Sequence, residues 1–210
     1  MNRILIFILL IFHINCFAQD EKSDEILKQL SLNTKSYKNM NVDFNFHFEN
    51  KTQEISEKQD GNIKINGNKF RLELNQQIII SDDTTQWIYL KESNELQIME
   101  YDSQDDMLSP NKLFTIYENG YKNNYVELKE ESEKNTHIID LFPVESNEFT
   151  KIQLHIDTEE IQLKNIILYD KNGGIFTYLI TSFLTNTEMD QKVFSFNSDE
   201  YPDIEIIDLR

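Results

Sequence analysis

The chain has 210 residues, 20 of them Lys or Arg and 37 Asp or Glu, for a formal net charge of −17. Such a charge repels phosphate backbones and anionic membrane surfaces, so nucleic acid is excluded as a natural partner and a soluble monomer is favoured. A single cysteine rules out a disulfide framework, and stability has to come from a hydrophobic core.

The first eighteen residues read as a secretory signal. Met1-Asn2-Arg3 is a positive n-region, Ile4 to Ile14 is apolar except for His13, and Cys16-Phe17-Ala18 is a small-x-small cleavage site. The expected organisation is a signal peptide at 1–18 and one domain at 19–210, with a periplasmic or otherwise secreted product. The apolar stretch is too short for a bilayer core of roughly 30 Å, and no later stretch reaches about 18 apolar residues. A rival reading has Cys16 acylated as a lipoprotein anchor, although Asn15 stands where a small residue is wanted.

Ser23 or Asp24 is placed to cap a helix running to about Lys38, with Ile26, Leu27, Leu30 and Tyr37 near one face. The period then changes to two. Val42, Phe44, Phe46 and Phe48 alternate with Asp43, Asn45, His47 and Glu49, the pattern of a strand with one apolar face. Gly61, Ile63 and Ile65 predict a second strand and Phe70, Leu72 and Leu74 a third, joined by Asn66-Gly67 as a type I′ turn. Strands at 77–81, 84–91 and 95–101 continue the meander. Ser109-Pro110 then opens a short amphipathic helix over 110–119, with Leu113, Phe114, Ile116 and Tyr117 on its apolar face and Gly120 ending it. Strands resume at 124–131, 136–142, 150–157, 161–170 and 175–185. The fold class is mostly β: one strongly curved antiparallel sheet of about eleven strands with a helical lid.

Catalytic and metal-binding patterns are not found. His47, His137 and His155 each sit inside a predicted strand, apart from other ligand types, and read as ordinary strand histidines. Asp82-Asp83 and Asp105-Asp106 resemble catalytic pairs only in composition, because Asp is the expected residue in turns. No glycine-rich phosphate loop and no GxSxG is present. No cofactor is expected, and the chain reads as a binding protein and not an enzyme. What stands out is aromatic weight: Phe44, Phe46, Phe48, Phe70, Trp87, Tyr89, Phe176, Tyr178 and Phe183. A packed core is the plain explanation and a curved sheet with an apolar cavity the other, and composition alone does not separate them.

The order of elements resembles the LolA-type lipoprotein carriers of the Gram-negative periplasm. The likeness rests on Lys35-Ser36-Tyr37 closing the first helix, the aromatic strand after it, Gly61-Asn62-Ile63-Lys64-Ile65 leading into Asn68-Lys69-Phe70-Arg71-Leu72, and Ser81-Asp82 followed by Trp87-Ile88-Tyr89. Asp82-Asp83 replaces the family's Asp-Gly turn, and Asn66-Gly67-Asn68 stands where proteobacterial members have Lys-Arg-Pro, so the role of that arginine transfers to no residue here. The closing Phe194-Ser195-Phe196 and Tyr201-Pro202-Asp203-Ile204 are similar to Bacteroidetes-type members.

The resemblance implies an unclosed half-barrel whose concave face receives the acyl chains of lipoproteins. These would be handed over by an inner-membrane extraction complex of the LolCDE type and delivered toward an outer-membrane acceptor. Under it, Phe44, Phe46, Ile63, Ile65, Phe70, Leu72, Ile78, Ile80, Trp87 and Tyr89 line the cavity, and the helix at 110–119, with Leu113, Phe114, Ile116 and Tyr117, forms the lid together with the N-terminal helix. An anchored lipid-binding lipoprotein on the same fold and a non-enzymatic envelope sensor or scaffold are the alternatives.

Overall fold

The structure is a computed structural model that describes residues 14–101, 110–130, 135–146 and 148–210. Most of the signal segment, the Asp105-Asp106 pair and Ser109 lie outside the described residues. One helix, α1 (Ile14–Ser36), precedes β1 (Met40–Asn50), β2 (Ile55–Asn66), β3 (Lys69–Leu74), β4 (Gln77–Ser81), β5 (Thr85–Leu90) and β6 (Glu95–Glu100). The second half holds β7 (Tyr121–Lys129), β8 (Thr136–Pro143), β9 (Phe149–Asp157), β10 (Leu163–Asp170), β11 (Gly174–Thr185) and β12 (Glu205–Asp208). All twelve belong to one sheet, ordered β12-β6-β5-β4-β3-β2-β1-β11-β10-β9-β8-β7, so β12 and β7 are free edges and the sheet does not close. Every pairing is antiparallel except that of β12 with β6.

The predicted curved antiparallel sheet is thus present, with one strand more than expected. β12 was missed because a four-residue segment gains its strand character only by pairing with β6, a long-range event that local propensity does not record. Three other expectations are corrected. Ser23 and Asp24 do not cap α1, which already begins at Ile14. Both sit inside the helix and grip one side chain of β7, Ser23 donating to Asn123 Oδ1 and Asp24 Oδ1 accepting from Asn123 Nδ2 at 2.7 Å. The β2–β3 hairpin turns on Gly67-Asn68, not Asn66-Gly67, because Asn66 pairs with Lys69. The φ is positive at Gly67 (61°) and not at Asn68, which is the type II′ arrangement with Gly in first position. The expected helix over 110–119 is two single-turn 3-10 helices, Pro110–Lys112 and Ile116–Glu118. A helix of so few residues is marginal alone, and burial of Phe114 and Tyr117 sets the local path.

The main core lies on the concave side. Ile26, Leu27 and Leu30 of α1 pack against Ile139, Leu141, Ile152, Leu154 and Ile156 of β8 and β9, and the cluster continues through Val42, Ile63 and Ile65 to Phe70. Helix α1 therefore covers one half of the curved face, beside β7. At the centre of the sheet Phe44 of β1 lies directly opposite Gly61 of β2, and the ring lies over the glycine. A side chain at position 61 would overlap that ring, so glycine is required there for close approach.

Gly61→Val is therefore expected to displace Phe44 and cost about 1–3 kcal/mol, the usual penalty for overpacking. Urea denaturation followed by circular dichroism measures it, and an unchanged midpoint would contradict the packing described.

Candidate functional site

The concave face is not fully covered. Between the half roofed by α1 and the strands β3 to β5 there remains a cavity of about 1330 Å³, larger than the roughly 300–1,000 Å³ of ordinary small-molecule sites. Its floor is the centre of the sheet. Val42, Phe44 and Phe46 of β1 supply one stripe, and Ile63 of β2 lies beside Val42. Leu72 and Leu74 of β3, Ile79 of β4 and Ile88 of β5 form one wall, and Phe149, Ile166 and Leu168 the opposite one. Phe176, Tyr178 and Ile180 of β11 run alongside β1, where a bulge at Asp43/Phe44 shifts the alternation so that Phe183 also faces the core.

Aromatic contacts hold this floor in place. The rings of Phe46 and Tyr178 are 5.1 Å apart, Phe44 and Tyr178 5.9 Å, and Phe48 and Phe176 4.8 Å. Such offset and tilted pairs add about 0.5–1.5 kcal/mol each beyond their area. Polar groups collect at the end where β1 meets the β10–β11 turn: Gln59, Gln77, Ser146, Glu148, Asp170 and Asn172. Apolar depth and a polar rim suit an amphiphile lying lengthwise.

Residues 110–118 lie over the cavity. Leu113, Phe114 and Ile116 line it, Phe114 meets Phe183 edge-on at 5.8 Å, and Tyr117 is buried in the core. The outer side of this segment is tied to α1. Ser31 donates to Glu118 at 2.6 Å, Lys35 pairs with the same carboxylate at 2.9 Å, and the hydroxyls of Thr34 and Tyr117 are 3.3 Å apart. Burial raises the Tyr117 phenol far above its ordinary value in spite of the Thr34 contact.

Of the residues expected in the cavity, Phe44, Phe46, Ile63 and Leu72 line it, whereas Ile65 and Phe70 are buried in the core next to it. Four others are misplaced. Ile78, Ile80, Trp87 and Tyr89 lie on the opposite, convex face, in a separate cluster with Leu96, Ile98, Phe196, Tyr201 and Ile204. The reason is that β4 and β5 are buried on both faces. In Ile78-Ile79-Ile80 the alternation is silent, and the face is decided by register: Ile79 stands opposite Leu72, while Ile80 stands opposite Arg71. The cover that makes the convex side apolar is the C-terminal segment. Phe196 and Tyr201 stack at 4.7 Å, Tyr201 lies 4.5 Å from Tyr89, and Asn94 accepts from the Tyr89 hydroxyl while donating to the Pro202 carbonyl.

The titratable groups singled out in the sequence have local partners. His47 contacts Ser56 at 3.1 Å, His155 contacts Gln153 at 3.1 Å, and His137 meets the Tyr125 hydroxyl at 3.0 Å, with burial and then Lys22 holding its pKa below the usual imidazole range. Among the described residues no group of three or more His, Cys, Asp or Glu is placed to hold a metal ion. Asp82 is a turn cap: its Oδ1 accepts from the backbone N–H of Thr84 and Thr85 and from the Thr84 hydroxyl. Burial opposes ionisation there, but these hydrogen bonds outweigh it and hold the carboxyl below the ordinary aspartate value.

Two outcomes follow from these placements. Trp87 is the chain's one tryptophan and belongs to the convex cluster, so its emission should stay unchanged when an acyl ligand fills the cavity and shift to the red in Tyr201→Ala. A ligand-induced shift without change at Tyr201→Ala would reverse the face assignment. Because the Asp82 pKa is lowered by folding, its stabilising increment is complete above the ordinary value of 3.8 and fades as the pH falls below it. Melting of Asp82→Asn should accordingly be lower than the parent at pH 6 and converge with it toward pH 2.

Comparison with known proteins places the chain in a family. The model of the family described as outer membrane lipoprotein carrier protein LolA matches residues 35–197. No curated protein matches in sequence. Among solved structures, a conserved protein of Thermus thermophilus superposes with a TM-score of 0.57 at 12% identity, covering 89% of this chain and 99% of that one. A LolA superfamily protein from Nitrosomonas europaea gives 0.44 at 9% identity over 82% and 97% of the two chains, and the lipoprotein LppX of Mycobacterium tuberculosis gives 0.46 at 11% over 80% and 98%. At such identities the Thermus likeness bears on the fold alone. The family match spans most of the sequence, from the end of α1 through the strands that build the cavity to the segment covering the convex face, and the chain belongs to the LolA family of outer membrane lipoprotein carrier proteins.

Proposed function

We propose that the protein is a carrier without chemistry of its own, which shelters the acyl chains of lipoproteins during passage through the periplasm toward the outer membrane. The observation that carries this reading is an apolar cavity of about 1330 Å³ on the concave face of a chain of the LolA family. Phe44, Phe46, Ile63 and Leu72 would hold the chains from below, and Leu113, Phe114 and Ile116 from above. Each methylene left in water costs about 0.8 kcal/mol, so an acyl chain of about fifteen methylenes meets a barrier of roughly 12 kcal/mol to free transfer. A mobile apolar cavity removes that barrier at no chemical cost. The net charge of −17 fits a carrier that must not adhere to anionic lipid.

In this reading residues 1–18 are removed, residues 19–210 act as one domain, and an inner-membrane extraction complex and an outer-membrane acceptor supply direction and energy. Native mass spectrometry of protein from its own periplasm tests processing and cargo together. The expected result is a chain starting at Gln19 that forms a one-to-one complex with acylated but not unacylated lipoprotein. Phe46→Asp, which sets a charge into the apolar floor, should weaken that complex at least about tenfold. A diacylglycerol on Cys16 would make the protein an anchored acceptor instead, and indifference to acylated cargo would end the lipid reading.

A further inference from the structure

The apolar floor of the cavity contains one phenol. Tyr178 of β11 lines the cavity beside Phe44 and Phe46, at the middle of the sheet, with Gln59 of the polar rim on the far side of Phe46. Its hydroxyl makes no hydrogen bond among the described residues. Tyr178 is half-buried and contrasts with the buried tyrosines, of which Tyr89 donates to Asn94, Tyr117 meets Thr34, and Tyr125 meets His137. Burial pushes the Tyr178 phenol up to about 12, and no hydrogen bond offsets that burial. A phenylalanine would pack against Phe44 and Phe46 equally well, so packing alone gives no reason for an oxygen here. With no partner in the protein, this O–H remains available to donate to an acceptor that a ligand brings into the cavity.

We propose that Tyr178 is a specificity-determining residue, whose hydroxyl donates a hydrogen bond to the carbonyl that joins an acyl chain to its head. This inference rests on the proposed acyl-binding role and narrows it. The preferred ligand carries an ester or amide carbonyl within the cavity, and a bare alkyl chain is bound less well. The carbonyl at Tyr178 sets the depth of the ligand, with the chain running under Phe114 and Leu113 and the head directed to the rim at Gln59 and Asn172.

The test compares two ligands of equal length and head, 1-palmitoylglycerol, which has an ester carbonyl, and 1-O-hexadecylglycerol, whose ether has none. Each competes with a fluorescent alkyl probe for the full mature chain. The parent protein should prefer the ester about fivefold, the weight of one neutral hydrogen bond. Tyr178→Phe should abolish the preference by weakening the ester relative to the ether, with an unchanged circular dichroism spectrum as evidence that the fold is intact. Equal affinities in the parent, or a preference that survives Tyr178→Phe, would overturn the role of Tyr178 while leaving the acyl-binding reading in place. Failure of both ligands to displace the probe would overturn the two together.

Discussion

An antiparallel sheet that curves without closing has more concave surface than a short chain can cover, and the rest of this structure answers to that constraint. Twelve strands in one open sheet present a long apolar trough. One helix and the segment at 110–118 cover that side among the described residues, and α1 is spent on the half built from β7 to β9. Over the other half, the floor formed by β1, β2 and β11 is separated from its cover by space. Over the Leu, Ile and Phe of its floor water finds few partners, so the arrangement is stable through the packing of its walls and suits an apolar guest.

The two faces solve the covering problem differently. On the convex side the C-terminal segment packs three large apolar residues, Phe196, Tyr201 and Ile204, against β4 to β6, then adds β12 to the edge of β6. Apolar burial and backbone pairing act together, and the cover is continuous with the sheet. On the concave side residues 110–118 add no strand. They insert Leu113, Phe114 and Ile116 into the trough and are fastened outside by Glu118 and Tyr117 to α1. Lys35 of that ion pair is mostly exposed, and an exposed pair contributes little. The convex cover is therefore held by apolar burial and strand pairing, whereas the concave one has no strand pairing and is held by burial of Phe114 and Tyr117 with a few polar contacts at its outer side.

How much of this was legible in sequence depended on whether one or both faces of a strand are buried. In β1, alternation of Phe with Asn, Asp and His leaves one solution, and Phe44 and Phe46 point where the pattern says. In β4, three consecutive isoleucines satisfy either face, and only the pairing of Ile79 with Leu72 decides. The C-terminal cover that makes both faces apolar lies more than a hundred residues away in sequence, so no window around β4 contains the deciding information. The same holds for the second half of the sheet. Phe149, Ile166, Leu168 and Ile180 enter the cavity because β9, β10 and β11 return to the other side of β1, a consequence of strand order and not of composition. The lid residues were readable as an apolar cluster, but their conformation was not, since a short segment takes the path its contacts impose.

The acidic residues complete the picture by what they are used for. Asp82, Asp157 and Asp170 each accept backbone N–H groups two to four residues ahead, and Asn50 does the same at the end of β1. In a sheet of twelve strands joined largely by hairpins, the reversals leave backbone donors without ladder partners, and short side chains with an acceptor oxygen satisfy them locally. A chain built this way accumulates Asp and Asn at its turns for structural reasons, and part of its negative charge follows from the number of turns. The paired carboxylates that composition alone offers as catalysts are, at Asp82, fully engaged in closing a hairpin. The carboxylates described above thus serve the turns of the sheet, and the cavity keeps an apolar floor with the hydroxyl of Tyr178 and a polar rim that includes Gln59, Gln77 and Glu148.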